Sequence, residues 1–398
     1  MGLPTLFIIM MIKILILLIL VVLTFGQTEV IKVPDDLSGE VKTRLWPSFN
    51  NGSIYIDSSV VIYPNGTELL IQKRKSKSTY TKINLKRYSK DRFTVSQVVA
   101  NKELYAYSVF GGDGRVYLFQ MRKKTGEIQG PEIRHGMSSE RLFFMGDGSL
   151  VATGIYRPQL VDYVNRYRKD SIAEQKRNNK EKFDNLYLDH KAYTISLYDK
   201  QLSEFDSGNV IERIGDDARA YEMLFPAHPC DMKDNDILYL IDNDQGYVIE
   251  KYTRIKKLDS KIQISNPDFR SIPQEMTYRE GLILRNENRQ YSIAYCLYLK
   301  EGHILTGFYH APVMYESIKP PYYYDVVGED GSTIKSDSLD YPFITEDDGD
   351  KIFIYVKEAG GWFQDDDHYL VGVTVQELLD GRITNAWVEA QIQSFVVR

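Results

Sequence analysis

Apolar and polar residues alternate along most of this chain in short runs, and each run stops at a turn signal. The stretch NGSIYIDSSVVIYPNGTELLI, Asn51–Ile71, is representative. It predicts strands over Ser53–Ile56, Val60–Tyr63 and Glu68–Ile71, the last two joined at Asn65-Gly66. Asn-Gly and Asp-Gly pairs supply the positive φ that tight hairpins need. The same phrase returns at Asp113-Gly114, Asp147-Gly148 and Gln245-Gly246, and again in EGLILRNENRQYSIAYCLYL, EGHILTGFYH and DGDKIFIYVKEAGG. Twenty-nine tyrosines, many in alternating runs, suit pleated surfaces that pack on their neighbours.

Short strands with turn signals every 8–12 residues mean a sandwich, barrel or propeller. A single sandwich takes about 100 residues, and no Pro/Gly/Ser-rich linker divides Val30 from Arg398. A propeller of four-stranded blades absorbs the length in one domain. The expected fold is therefore an all-β propeller over 27–398, with six blades, or seven. Ring closure is expected to pair a strand near Glu29–Val33 with the C-terminal end. One segment breaks the pattern. Residues 163–189 are charged and lack alternation, which reads as a helical or loop insertion with its best helix over Ala173–Phe183.

Residues 1–26 differ from the rest. Lys13 precedes the apolar run ILILLILVVLTF, which ends at Gly26, in the form of a signal peptide cut before Gln27. An uncleaved anchor over residues 3–25 would place Lys13 in the bilayer, at about 2.5–3.5 kcal/mol. Either way the body of the chain is expected outside the cytoplasm: periplasmic, on the outer surface or secreted. Two cysteines, Cys230 and Cys296, do not make a disulfide scaffold. They either form one bridge or are buried as small hydrophobes.

These features together resemble the six-bladed TolB-like β-propeller proteins exported by Bacteroidetes-type bacteria. The exported N-terminus ending in TFGQ, the phrase NDILYLIDNDQGYVIEKY and the length carry the resemblance, over most of residues 30–398. The chain lacks a clear Gly-x-Gly-Pro-Gly-Glu phrase found in one branch of that group. The resemblance implies a fold and a compartment, and no functional residue is carried over.

Charge is unevenly spread. Val41–Thr125 holds 16 Lys/Arg against 5 Asp/Glu, and Asp325–Asp380 holds 3 against 15. Closure would set these regions side by side. The basic run Lys73–Lys90 is either the exposed face of an edge strand or a surface for lipid headgroups or acidic glycans. Outside the cytoplasm, nucleic acid is not an expected partner.

Catalytic signatures are scarce. The glycine-rich stretch FGGDGRVYLFQM lacks the Lys-Ser/Thr of a P-loop, and RVYLFQM alternates like a strand. No GxSxG or HExxH occurs. His303 and His310 flank an alternating strand and would face opposite ways. The acidic turns DNDQG (Asp242–Gly246), EDDGD (Glu346–Asp350) and DDDH are the places where hard oxygen ligands would suit Ca²⁺. Asp365, Asp366, Asp367 and His368 are the candidate metal ligands, against the alternative of an ordinary acidic turn. No other cofactor is called for. Tyr322, Tyr323 and Tyr324, in PPYYYD, and Trp362 are the candidate ligand-binding residues. Their rings would stack on a glycan or an envelope protein, or else pack between blades.

The expected function is a non-catalytic binding or scaffold protein of the cell envelope. The alternative is a propeller hydrolase or lyase acting on glycans or lactones, with an acidic or Ca²⁺ site in the central channel. The ligand and the oligomeric state are not legible in the sequence.

Overall fold

A computed structural model describes residues 28–35, 37, 54–74, 80–84, 93–111, 116–134, 141–156, 190–214, 227–233, 237–242, 246–253, 257–271, 292–299, 302–310, 320–347, 351–358 and 367–397. The expected signal segment 1–26, the insertion at 163–189 and its Ala173–Phe183 helix lie outside the described residues. So do the Asp113-Gly114 turn, Trp362, Asp365 and Asp366.

Among the described residues, twenty-four strands form six four-stranded antiparallel sheets, five of them built from neighbours in sequence. The first sheet is β2 (Tyr55–Ile56), β3 (Val60–Asn65), β4 (Glu68–Lys73) and β5 (Tyr80–Asn84). The second is β6 (Phe93–Ala100), β7 (Leu104–Gly111), β8 (Val116–Arg122) and β9 (Ile128–Arg134). The third is β10 (Arg141–Phe144), β11 (Leu150–Tyr156), β12 (His190–Tyr198) and β13 (Glu204–Ile214). The fourth is β14 (Ala227–Lys233), β15 (Ile237–Asp242), β16 (Val248–Thr253) and β17 (Lys257–Gln263). The fifth is β18 (Ser292–Tyr298), β19 (His303–His310), β20 (Tyr322–Gly328) and β21 (Thr333–Leu339). The sixth joins β22 (Phe343–Asp347), β23 (Lys351–Glu358) and β24 (Asp367–Thr374) to β1 (Glu29–Lys32) from the other end of the chain.

This is an all-β propeller. Its cores lie between successive sheets, so a strand buries both faces and reads as a continuous apolar run. Strand β23 shows the logic. Ile352, Ile354 and Val356 belong to the cluster shared with the fifth sheet, while Phe353 and Tyr355 pack with Ile56, Val61, Tyr63 and Leu70 of the first sheet. The turns follow the expected glycines: Gly66, Gly148 and Gly246 have φ of 57°, 87° and 90°.

Closure takes the expected form. Glu29–Lys32 pairs antiparallel with Tyr369–Gly372, and the Val33 N–H donates to the His368 carbonyl at 2.9 Å. A closed ring leaves no long sheet edge unpaired across the seam. Glu29 then reaches both ways. It accepts from Arg74 of the first-sheet side and from Lys351 of β23 at 2.9 Å, while Arg74 also lies over the Phe353 ring. Burial alone would raise the Glu29 pKa, but these two cations outweigh it and hold the carboxyl below its usual value. The basic first sheet thus sits beside the sixth, as the charge distribution implied.

The sequence reading missed two C-terminal helices, α1 (Val375–Leu379) and α2 (Asn385–Val396). The signal was present. Thr374 and Glu377 form a reciprocal capping box, and Thr384 caps α2 by accepting from the Trp387 N–H. Strand alternation dominates the preceding residues and hides a helix of this length. Val388 and Ile392 are buried, and Phe395 meets Tyr369 edge-on, so α2 covers part of the closing sheet.

Candidate functional site

The two ends of the propeller differ in how much chain they carry. In an up-and-down sheet the first-to-second and third-to-fourth connections lie at one end. At that end the longest link between described strands is 74–79. The second-to-third and sheet-to-sheet connections lie at the opposite end. These include 33–54, 157–189, 215–226, 264–291 and 311–321. Long connections on a rigid scaffold are where binding groups concentrate. Of the sequence-predicted site residues that are described, Tyr322–Tyr324 follow the 311–321 connection, and Asp367 and His368 open β24 at the same end.

On the fifth sheet this end carries an aromatic and polar cluster. Phe308 of β19 and Tyr323 of β20 are cross-strand partners, and their rings stack at 4.8 Å. The His310 ring lies 5.4 Å from Tyr323. Phe269, from the connection after β17, meets Phe308 edge-on at 5.2 Å and stacks on Tyr247 at 4.6 Å. Tyr247 and Phe308 are buried, whereas Phe269, Tyr323 and His310 are half-buried and form the rim.

Ser292 fastens the rim. Its N–H donates to the Arg270 carbonyl and its Oγ accepts from the Arg270 N–H, both at 2.9 Å. The same Oγ lies 3.3 Å from His310 Nδ1, across the β18–β19 pair. Burial, and then the nearby Arg270 charge, lower the His310 pKa, with Asp268 opposing. The imidazole is therefore held neutral near pH 7. Ser292 is 1% exposed and already clamped, so it is placed to orient His310 and not to attack a substrate.

Below the rim a buried carboxylate organises two sheets. Asp325 accepts from Tyr247 Oη at 2.7 Å, from Asn266 Nδ2 at 3.0 Å, and from Ser336 Oγ. Thr306 Oγ1 donates to Tyr247 Oη at 2.7 Å. Burial and the Asp325 charge raise the Tyr247 pKa well above its ordinary value, so the phenol stays a donor. Cys296, Thr306, Asp325 and Ser336 are cross-strand partners in one row, facing the fourth sheet. Cys296 is disulfide-bonded, and the chain's other cysteine is Cys230, on β14 of that facing sheet.

The tyrosine run alternates as expected, but its exposure does not follow. Tyr322 and Tyr324 are 1% and 0% exposed and pack toward the sixth sheet. Tyr323 alone reaches the rim. Of the acidic candidates, Asp367 is held by Lys32 at 3.0 Å and accepts from Tyr369 Oη at 3.2 Å. His368 is buried with its Nδ1 against Tyr355 Oη. Adjacent strand residues face opposite ways, and no group of three or more metal-type side chains gathers among the described residues. His303 and His310 lie at opposite ends of β19. Sequence reasoning missed Phe269, Ser292 and His310 as a group, because residues 270–291 lie between the first two and a strand and turn lie between the last two.

No protein-family model matches this chain, and no curated protein matches it in sequence. Solved structures do show similarity. A protein described as TolB from Agrobacterium tumefaciens is 12% identical, over 88% of this chain and 100% of that one, with a TM-score of 0.40. A polysaccharide lyase, an ulvan lyase bound to a GlcA–Rha3S unit, is 11% identical over 70% of each chain, with a TM-score of 0.38. A protein of unknown function from Bacteroides caccae is 8% identical, over 72% and 81%, with a TM-score of 0.37. None of these likenesses says anything about chemistry.

Proposed function

We propose that this chain is an exported six-bladed propeller, each sheet one blade, that binds a ligand at its loop-rich end without transforming it. The half-buried rim formed by Tyr323, His310 and Phe269 carries the reading. It offers flat apolar faces beside a neutral imidazole, and Asp268 and Arg270 flank it. Such a surface suits a ring-shaped, hydroxyl-rich ligand, for which a glycan is the natural class outside the cytoplasm. The disulfide at Cys296 supports an oxidising compartment, and no helix among the described residues is long and apolar enough to cross a membrane.

A hydrolase or lyase reading draws less support. Ser292 is buried and clamped, and Asp367 and His368 are engaged in separate pairs. The test is calorimetric titration with neutral and uronate-containing oligosaccharides. Binding that falls at least tenfold in Tyr323→Ala and in His310→Ala supports the reading. Turnover of an oligosaccharide, or binding unchanged in both variants, would overturn it.

A further inference from the structure

The second and third sheets meet through a partly polar layer. On the second sheet, Gln97 pairs across strands with Ser108, and Gln120 with Ala106, so all four lie on one face. That face meets the third sheet, because Ala106 and Leu118 cluster with Leu142, Leu150, Ala152 and Tyr198. The opposing surface is also small and hydroxyl-bearing: Ala152 pairs with Ser196, and Gly154 with Thr194. Gln97 and Gln120 are 1% and 2% exposed, and neither the oxygen nor the nitrogen of either side-chain amide has a hydrogen-bond partner. Burying four such amide atoms unpaired is costly. Ala106, Ser108, Ala152 and Ser196 keep the side chains beside the two amides small.

We infer that Gln97 and Gln120 line a hydrated site between these two sheets, whose ligand is ordered water bonded to both amides. Water supplies both donor and acceptor, which an amide needs at its two ends, and buried waters take two to four such bonds. Leu118 and Leu142, both fully buried, belong to the same cluster, so such waters are expected to exchange slowly with solvent.

A crystal structure of the full chain at about 1.5 Å resolution tests this. Ordered water within about 3.2 Å of the amide oxygen or nitrogen of both glutamines is expected. A dry, close-packed layer, or amides turned onto protein partners, would overturn it. In the Gln97→Met/Gln120→Met variant those water sites should be lost; waters persisting unchanged would count against the two amides as their holders. In solution, nuclear Overhauser transfer from water to both side-chain NH₂ groups is expected in the wild type. Its absence at both would also refute the site.

Discussion

Glu29 and Arg74 face each other across the seam of the ring. The guanidinium donates to both carboxylate oxygens, Nε at 2.6 Å and Nη2 at 2.8 Å. Arg74 is 7% exposed there, so the pair is largely shielded from water. Bidentate pairing fixes orientation as well as charge. Removing the carboxylate takes away the anion that Arg74 and Lys351 share. Glu29→Gln should therefore cost about 2 kcal/mol, read as a lower midpoint in urea unfolding. An unchanged midpoint would show that the seam is held by β1 pairing alone.

The same clasp sets a pH dependence. The folded Glu29 pKa lies below its ordinary 4.5. Its contribution is then complete above about pH 4.5 and is lost as pH falls through the folded value. The stability difference between wild type and Glu29→Gln should shrink between pH 5 and pH 3. A difference that stays constant over that range would refute the linkage.

Deleting residues 28–36 removes β1 and uncovers the edge of β24. Val30, Ile31 and Val33 also leave their clusters. A large loss of thermal stability is expected, on the order of several kcal/mol from apolar burial alone. Equal melting of the truncated and full chains would mean the ring closes without its N-terminal strand.

Tyr295 lies flat over Gly307, its cross-strand partner. A Cβ at Gly307 would overlap the phenol ring, approaching Cε1 to 2.9 Å. Gly307→Ala should cost about 1–3 kcal/mol through overpacking. Much of that cost should vanish in the Tyr295→Ala background, and a double-mutant cycle measures the coupling. Additive effects would show that the ring and the glycine are independent.

Cys296 closes a long loop with its disulfide. Replacing it with Ser should cost about 2–4 kcal/mol, and the parent protein should lose a similar amount on reduction with dithiothreitol. If reduction leaves the unfolding midpoint unmoved, the bridge has no part in joining the fourth and fifth sheets.

The parts of this fold that were legible are those set by local pattern. Alternation and Asx-Gly turns located β3, β4 and β8 to within a residue or two, because side-chain direction in a strand repeats every second residue. The closing role of a strand near Glu29–Val33 followed from the propeller reading, in which the ring must join its two ends. The site was less legible. PPYYYD was correctly read as alternating, yet which tyrosine is open depends on the neighbouring sheets. The fifth and sixth sheets bury Tyr322 and Tyr324, whereas Tyr323, on the opposite face of β20, stays half-buried at the rim.

By itself, then, the sequence determined an all-β chain of short hairpins that close in a ring, since period and turn chemistry are local properties. The tertiary structure alone decided the contacts between distant residues. Arg74 with Glu29, Lys351 with Glu29 and Tyr247 with Asp325 are separated by 45, 322 and 78 positions. Such pairs depend on the twist and order of whole sheets around an axis, and no window of neighbouring residues contains that geometry.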